Sequence, residues 1–245
     1  MTGSRPLGYF ILPGNPPVRA LYETWGRELR ERDPGLRFRV ARYPLFNPSI
    51  DTTPAQYFEA LSESLAVQLQ DFYAESEGGV RIVAHSFGGY LALKLLERSV
   101  ERVEACYLLH PFLRQPGARG RALLRTVYAL NHLPSIGDGL VGIRPFVGRF
   151  LKEARQITPE EISVFLQIAH YEHLGIVPDR SELRVPPELG AKLRVYSHPR
   201  DTWCPPESLR SLGPGVRHVV GAASHNFILR RPERDLVADF LRAPA

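Results

Sequence analysis

The chain has 245 residues, 44% of them hydrophobic and 23% charged, which suits one large domain able to bury a substantial core. Its two cysteines, Cys106 and Cys204, exclude a disulfide framework, and no apolar run approaches the 18 residues that a membrane span needs. The net charge of +5 comes with 28 arginines among the 31 basic residues, but there is no basic run, zinc spacing or phosphate-cradling glycine loop, so no nucleic-acid partner is expected.

In chain order, Gly8 to Leu12 is a short apolar run stopped by Pro13-Gly14-Asn15-Pro16-Pro17, the pattern of a buried strand entering a tight loop. It is far too short for the apolar region of a cleavable signal, so a cytoplasmic location is expected. Leu21, Trp25 and Leu29 then mark one face of a helix over 18–32, and Arg37 to Ala41 is a second strand. Thr53-Pro54-Ala55-Gln56 has the residues of a capping box with proline at the first helical position. The helix it opens runs to about Ala74, with Phe58, Leu61, Leu65, Leu69 and Phe72 on one side. Val80 to Ala84 is a third strand, Tyr90 to Arg98 a helix, and Val103 to Leu109 a fourth strand. Leu193 to Ser197 and Val216 to Val220 are the fifth and sixth strands, and Pro232 to Leu241 closes the chain as an amphipathic helix.

Strands alternating with helices predict a mostly parallel sheet of about six strands with helices on both faces, whose ligand crevice lies beyond the carboxyl ends of the strands. The alternation is interrupted after the fourth strand. Residues 111–187 read as a helical cap inserted into a core made of 1–110 and 188–245. Helices are expected in it near 119–131 and 147–155, and a third begins at a second capping box, Thr158-Pro159-Glu160-Glu161.

The loops after strands one, three, four, five and six carry Asn15, Ser86, His110, Asp201 and His225. Ser86 stands in Ala84-His-Ser-Phe-Gly88 between a strand and a helix, the context of a nucleophile elbow. Small residues at Ala84 and Gly88 let strand and helix approach where the chain reverses. Acyl transfer by serine needs a histidine base and a carboxylate to orient it, and Asp201 and His225 follow Ser86 in the order serine, acid, histidine. The catalytic candidates are therefore Ser86, Asp201 and His225. Glu207 and Asp179 are weaker acids by position, one deeper in the next segment and one in the insertion. His85 is expected to point away from the nucleophile, and His110, at a strand end, either lines the pocket or, on the plainer expectation, makes a core or cap contact. The oxyanion hole needs two backbone N–H groups. Phe87, after the nucleophile, is one; Pro13, Pro16 and Pro17 have no N–H, which leaves Gly14 and Asn15, and Asn15 has the position that usually donates in such loops.

With these residues in place the chain resembles the α/β-hydrolase superfamily over nearly its whole length. Leu12-Pro-Gly-Asn-Pro16, Tyr22 and Ala84-His-Ser-Phe-Gly-Gly-Tyr90 resemble the lipid-droplet-associated hydrolase family, with its P-G-N-P-G loop and G-H-S-x-G-x-Y elbow. His110-Pro-Phe-Leu113, Asp201-Thr-Trp-Cys-Pro205 and His225-Asn-Phe227 are similar to its later segments, while Pro17 and Ala84 replace two of its glycines. The resemblance implies the α/β-hydrolase fold and a lipid ester substrate. An acyl-enzyme mechanism calls for no cofactor and no metal.

Between Arg114 and Arg155 eight basic residues stand against two acidic ones, Asp138 and Glu153, interleaved with apolar residues. Such a cap suits peripheral docking on an anionic membrane or lipid surface. The plainer expectation is a lid whose apolar face covers the crevice while its charges face water. A reading from another class is a hydrolase-fold protein with little turnover that serves as a lipid-surface or protein-binding module.

Overall fold

Gly8–Leu12 forms β1, and all five of its residues are buried, as a strand covered on both faces requires. The computed structural model describes residues 7–46, 51–76, 79–99, most of 102–126, 157–176 and most of 185–243. The other strands are β2 (Arg37–Val40), β3 (Val80–His85), β4 (Val103–Leu109), β5 (Leu193–Ser197) and β6 (Arg217–Val220). They form one sheet in the order β2-β1-β3-β4-β5-β6, and every neighbouring pair is parallel.

Side-chain alternation sends the strands into two cores. Phe10, Leu12, Ile82, Ala84, Cys106 and Leu108 pack beneath helices α2 (Pro54–Glu75), α3 (Phe87–Ser99) and α4 (Pro159–Tyr171). Tyr9, Ile11, Val83, Tyr107 and Leu109 pack on the opposite face beneath α1 (Arg19–Arg32) and α5 (Arg231–Arg242). On that face Arg234 grips Glu28 through two hydrogen bonds of 2.8 and 2.7 Å, joining α5 to α1.

Both capping boxes form. The Thr53 hydroxyl accepts from Gln56 N–H while the Gln56 side chain accepts from Thr53 N–H, and Thr158 and Glu161 repeat the arrangement at α4. Helix α3 begins at Phe87, three residues before the periodic pattern starts. Gly88 and Gly89 are poor helix formers, but the turn at Ser86 already sets the helical course, with Gly89 N–H bonded to Ser86 O at 2.9 Å. Between β4 and β5, helical residues occur at 120–122 and 124–126. The helix expected near 147–155 lies outside the described residues. Helix α4 is packed into the same core as α2 and α3 through Ile162, Val164 and Ile168.

One contact positions everything at the carboxyl ends of the strands. A Cβ added to Gly88 would lie 2.5 Å from Leu12 O and 2.7 Å from Pro13 O, so the first turn of α3 rides directly on the end of β1. Gly88→Ala is expected to destabilise the protein by about 1–3 kcal/mol, since backbone must move to admit the methyl. Thr53→Ala, which removes an exposed cap, is expected to cost about 1 kcal/mol. Urea denaturation of the two variants checks the order.

Candidate active site

Ser86 occupies the turn from β3 to α3 with φ of +50°, and only His110, at +49°, shares a positive φ among the described non-glycine residues. Backbone conformations of this kind persist where surrounding structure over-determines them. Here the end of β4 does so: Ser86 N–H donates to Leu109 O at 3.0 Å, and Ser86 O accepts from Phe112 N–H at 2.9 Å. The serine side chain is thereby presented beyond the strand ends.

The two other catalytic candidates converge on it. His225, in the loop after β6, has Nε2 2.9 Å from Ser86 Oγ. Its Nδ1 lies 2.9 and 3.1 Å from the two carboxylate oxygens of Asp201, in the loop after β5. Asp201 Oδ1 also accepts from the backbone N–H groups of Trp203, at 2.8 Å, and Cys204, at 3.0 Å. Burial alone would raise the Asp201 carboxyl, but hydrogen bonds from His110 and His225 outweigh it and hold the group well below the usual carboxylate range.

The bond of His110 to Asp201 is what sequence reasoning missed. His110 Nδ1 lies 2.9 Å from Asp201 Oδ2, and both side chains are without exposed surface. One carboxylate thus serves two imidazoles. The available signal was position, since His110 ends β4 as the other candidates end their strands. His110, Asp201 and His225 also have the ligand types of a metal site, with ligand atoms within 4.8 Å of one another. Both Nδ1 atoms, however, point at the carboxylate at hydrogen-bond distance, so they act as N–H donors and offer no lone pair there.

His85 joins two parts of the site. Its Nε2 is 2.8 Å from His225 O, an atom that can only accept, so Nε2 carries the proton. Burial lowers the His85 pKa well below its ordinary value, and the nearby His225 and His110 add to this. The neutral ring therefore accepts at Nδ1 from the Tyr22 hydroxyl, 2.6 Å away. Tyr22 Oη in turn accepts from Gly14 N–H at 2.8 Å.

That last bond separates the two oxyanion candidates of the first loop. Gly14 N–H is engaged by Tyr22, whereas the backbone N–H of Asn15 has no partner among the described residues, nor has that of Phe87 at the start of α3. The loop lies against the elbow, since a Cβ on Gly14 would sit 3.0 Å from Ser86 Cβ. The Asn15–Pro16 peptide is cis. The Asn15 side chain donates to Glu172 Oε2 at 2.8 Å, a contact across 157 residues that no local pattern foretells. Of the weaker acid candidates, Asp179 and Glu207 lie outside the described residues. A hydroxyl, an imidazole and a carboxylate in series beside two unengaged N–H groups are the parts that acyl transfer uses.

The buried imidazoles have a consequence for stability. Burial holds the folded-state pKa of His110 below its unfolded value of about 6.5. Below that pH the unfolded chain takes up a proton that the fold does not, and stability is lost as pH falls. His110→Gln is therefore expected to lose less stability than wild type between pH 7 and pH 5, read from urea midpoints at the two pH values.

Similar architectures are known. An esterase from Thermogutta terrifontis superposes with a TM-score of 0.63 at 20% identity, over 96% of this chain and 89% of its own. An esterase from Exiguobacterium antarcticum gives 0.61 at 17% identity, over 97% and 91%. The Vlm2 thioesterase domain gives 0.62 at 18%, over 98% and 93%. At these identities the likeness is one of fold, and the fold is that of the α/β-hydrolases. No curated protein matches the chain in sequence. The sequence profile of the lipid-droplet associated hydrolases matches residues 5–153, which hold the first loop and the serine turn but not Asp201 or His225. With more than half of its length matched, the chain belongs to the lipid-droplet associated hydrolase family.

Proposed function

We propose that this protein is a serine hydrolase of carboxylic esters whose substrates carry lipid-like or otherwise apolar acyl groups. The observation that carries the reading is the unbroken series from Ser86 Oγ through His225 to Asp201, with 2.9 Å at each junction, on a serine held at positive φ. Ser86 Oγ attacks the ester carbonyl as His225 Nε2 takes its proton. Asp201 holds the imidazole with Nδ1–H toward the carboxylate and stabilises the imidazolium. The N–H groups of Asn15 and Phe87 receive the charge that develops on the carbonyl oxygen. As the tetrahedral intermediate collapses, His225 returns the proton to the leaving alkoxide. Water, activated by the same histidine, then releases the acid and restores Ser86.

Family membership supports the lipid-like substrate. Residues 111–187 act in this reading as a cap over the crevice. No helix among the described residues is long and apolar enough to cross a membrane. Peripheral contact with an anionic lipid surface, through the basic residues of the cap, is part of the same reading. Arg114, Arg121 and Arg125 of that set are described, whereas Arg119, Arg144, Arg149, Lys152 and Arg155 lie outside the described residues.

A fluorophosphonate probe is expected to label the wild type at Ser86, with loss of p-nitrophenyl ester turnover. Absence of labelling would instead favour a binding module that keeps the fold. Ser86→Ala and His225→Ala are expected to fold and to lose turnover about equally, because the three residues act as a unit. Asp201→Asn is expected to lower kcat by about 10⁴, as a misdirected imidazole tautomer does. Changing Arg121, Arg125, Arg149 and Lys152 together to Gln is expected to weaken sedimentation with anionic vesicles at low salt by about two orders of magnitude, with soluble-ester turnover retained.

A further inference from the structure

The loop after β1 is held at three consecutive residues by three side chains. The Tyr43 hydroxyl donates to Pro13 O at 2.6 Å, the Tyr22 hydroxyl accepts from Gly14 N–H at 2.8 Å, and Glu172 Oε2 accepts from Asn15 Nδ2 at 2.8 Å. Tyr22 and Tyr43 belong to α1 and to the segment after β2, both early in the chain. Glu172 differs, because it is carried by the long connection between β4 and β5.

The place of Glu172 is secured from several sides. It opens a π-helical turn, Glu172–Ile176, that continues α4. Wide turns of this type recur at functional sites. Just before it, Tyr171 stacks on Tyr57 with ring centroids 4.0 Å apart. Within it, Gly175 lies so close to α2 that an added Cβ would come within 2.7 Å of Pro54. Further back, Gln167 bonds both the N–H and the C=O of Phe46, and Glu161 accepts from Arg19 N–H. The carboxyl thus arrives at the loop on a braced element.

The Glu172 carboxyl is 4% exposed and has no cationic partner among the described residues. Burial raises its pKa to about 8, against a smaller lowering by Asn15, so it is largely neutral at pH 7. A buried carboxyl of this sort is costly to keep. What it does for the fold is hold the Asn15 amide through Nδ2, the amide's Oδ1 being buried without a hydrogen-bond partner among the described residues. The orientation of the Asn15 side chain therefore rests on Glu172.

We infer that Glu172 is a positioning residue for the oxyanion hole, acting through the Asn15 side chain to aim the Asn15 backbone N–H at the carbonyl above Ser86. By this bond the connection between β4 and β5 sets the catalytic competence of a loop to which it is not covalently adjacent. The inference rests on the reading of Ser86 as nucleophile and Asn15 as oxyanion donor.

The test is a double-mutant cycle in Glu172→Ala and Asn15→Ala, with Glu172→Gln as the conservative variant, read as kcat and KM for a short-chain p-nitrophenyl ester. Removing an oxyanion donor outright costs about 10²–10³ in kcat. Misaiming one is expected to cost about tenfold or more, with KM nearly unchanged. Glu172→Gln, which keeps an acceptor for Asn15 Nδ2, is expected to restore kcat to within about threefold of wild type. In the Asn15→Ala background, which keeps the backbone N–H but removes the amide, Glu172→Ala is expected to have no further effect. Equal losses in both backgrounds, or wild-type kcat in Glu172→Ala, would overturn the inference. Should Glu172→Ala fail to fold, Asn15→Ala cuts the same bond from the other side, and wild-type kcat there would overturn it equally. Fluorophosphonate labelling to completion at Ser86 in every variant is expected. Its absence in the wild type would overturn the hydrolase reading itself, a result distinct from labelled variants with unaltered kcat.

Discussion

A carboxylate with no exposed surface must be met by donors, and Asp201 is met by four. His225, His110 and the backbone N–H groups of Trp203 and Cys204 all point at its two oxygens, and no lysine or arginine among the described residues is a partner. Hydrogen bonds to a charged acceptor are the strong ones, and here they replace the hydration that burial removed. Much of the site follows from this requirement. The loop after β5 has to curl so that Trp203 and Cys204 face back on Asp201, the end of β4 has to supply His110, and the loop after β6 has to bring His225 within reach. The acid of the proposed triad and a folding constraint are the same atoms.

Around this centre runs a second set of buried polar contacts with a fixed direction. Gly14 N–H, the Tyr22 hydroxyl, the His85 ring and His225 O are joined in series, with each hydrogen assigned by the fact that the last atom can only accept. A fully satisfied buried network of this kind rigidifies what it joins. What it joins are the loop after β1 and the loop after β6, which flank Ser86 from two sides. The histidine preceding the serine is thus a strut between the loop after β1 and the loop after β6. Together with the approach of Gly88 to Leu12 and Pro13, it leaves the serine turn little freedom.

The connection between β4 and β5 enters this arrangement through α4. Its apolar face shares the core with α2 and α3, its polar groups reach Arg19 and Phe46, and Glu172 in the turn that follows reaches Asn15. Part of that connection is consequently packed into the core and bonded to the loop after β1.

Hydrophobic period, caps and breakers placed β1, β4 and β5 to the residue and both capping boxes correctly, because those signals are local and the chain satisfies them within a few residues. The order serine, aspartate, histidine at three strand ends singled out Ser86, Asp201 and His225, since in a parallel sheet every strand end opens onto the same crevice. Other features were decided by packing. The early start of α3 depends on the turn at Ser86, which overrides the weak helix preference of Gly88 and Gly89. The engagement of Gly14 N–H depends on where the Tyr22 hydroxyl falls, the second imidazole on Asp201 depends on the pairing of β4 with β5, and the hold of Glu172 on Asn15 spans 157 residues. A chain declares which residues carry chemistry by type and by the element they end. Which hydrogen goes to which acceptor is settled only when distant segments are packed together, because that is when water is excluded and each buried polar atom must find its partner.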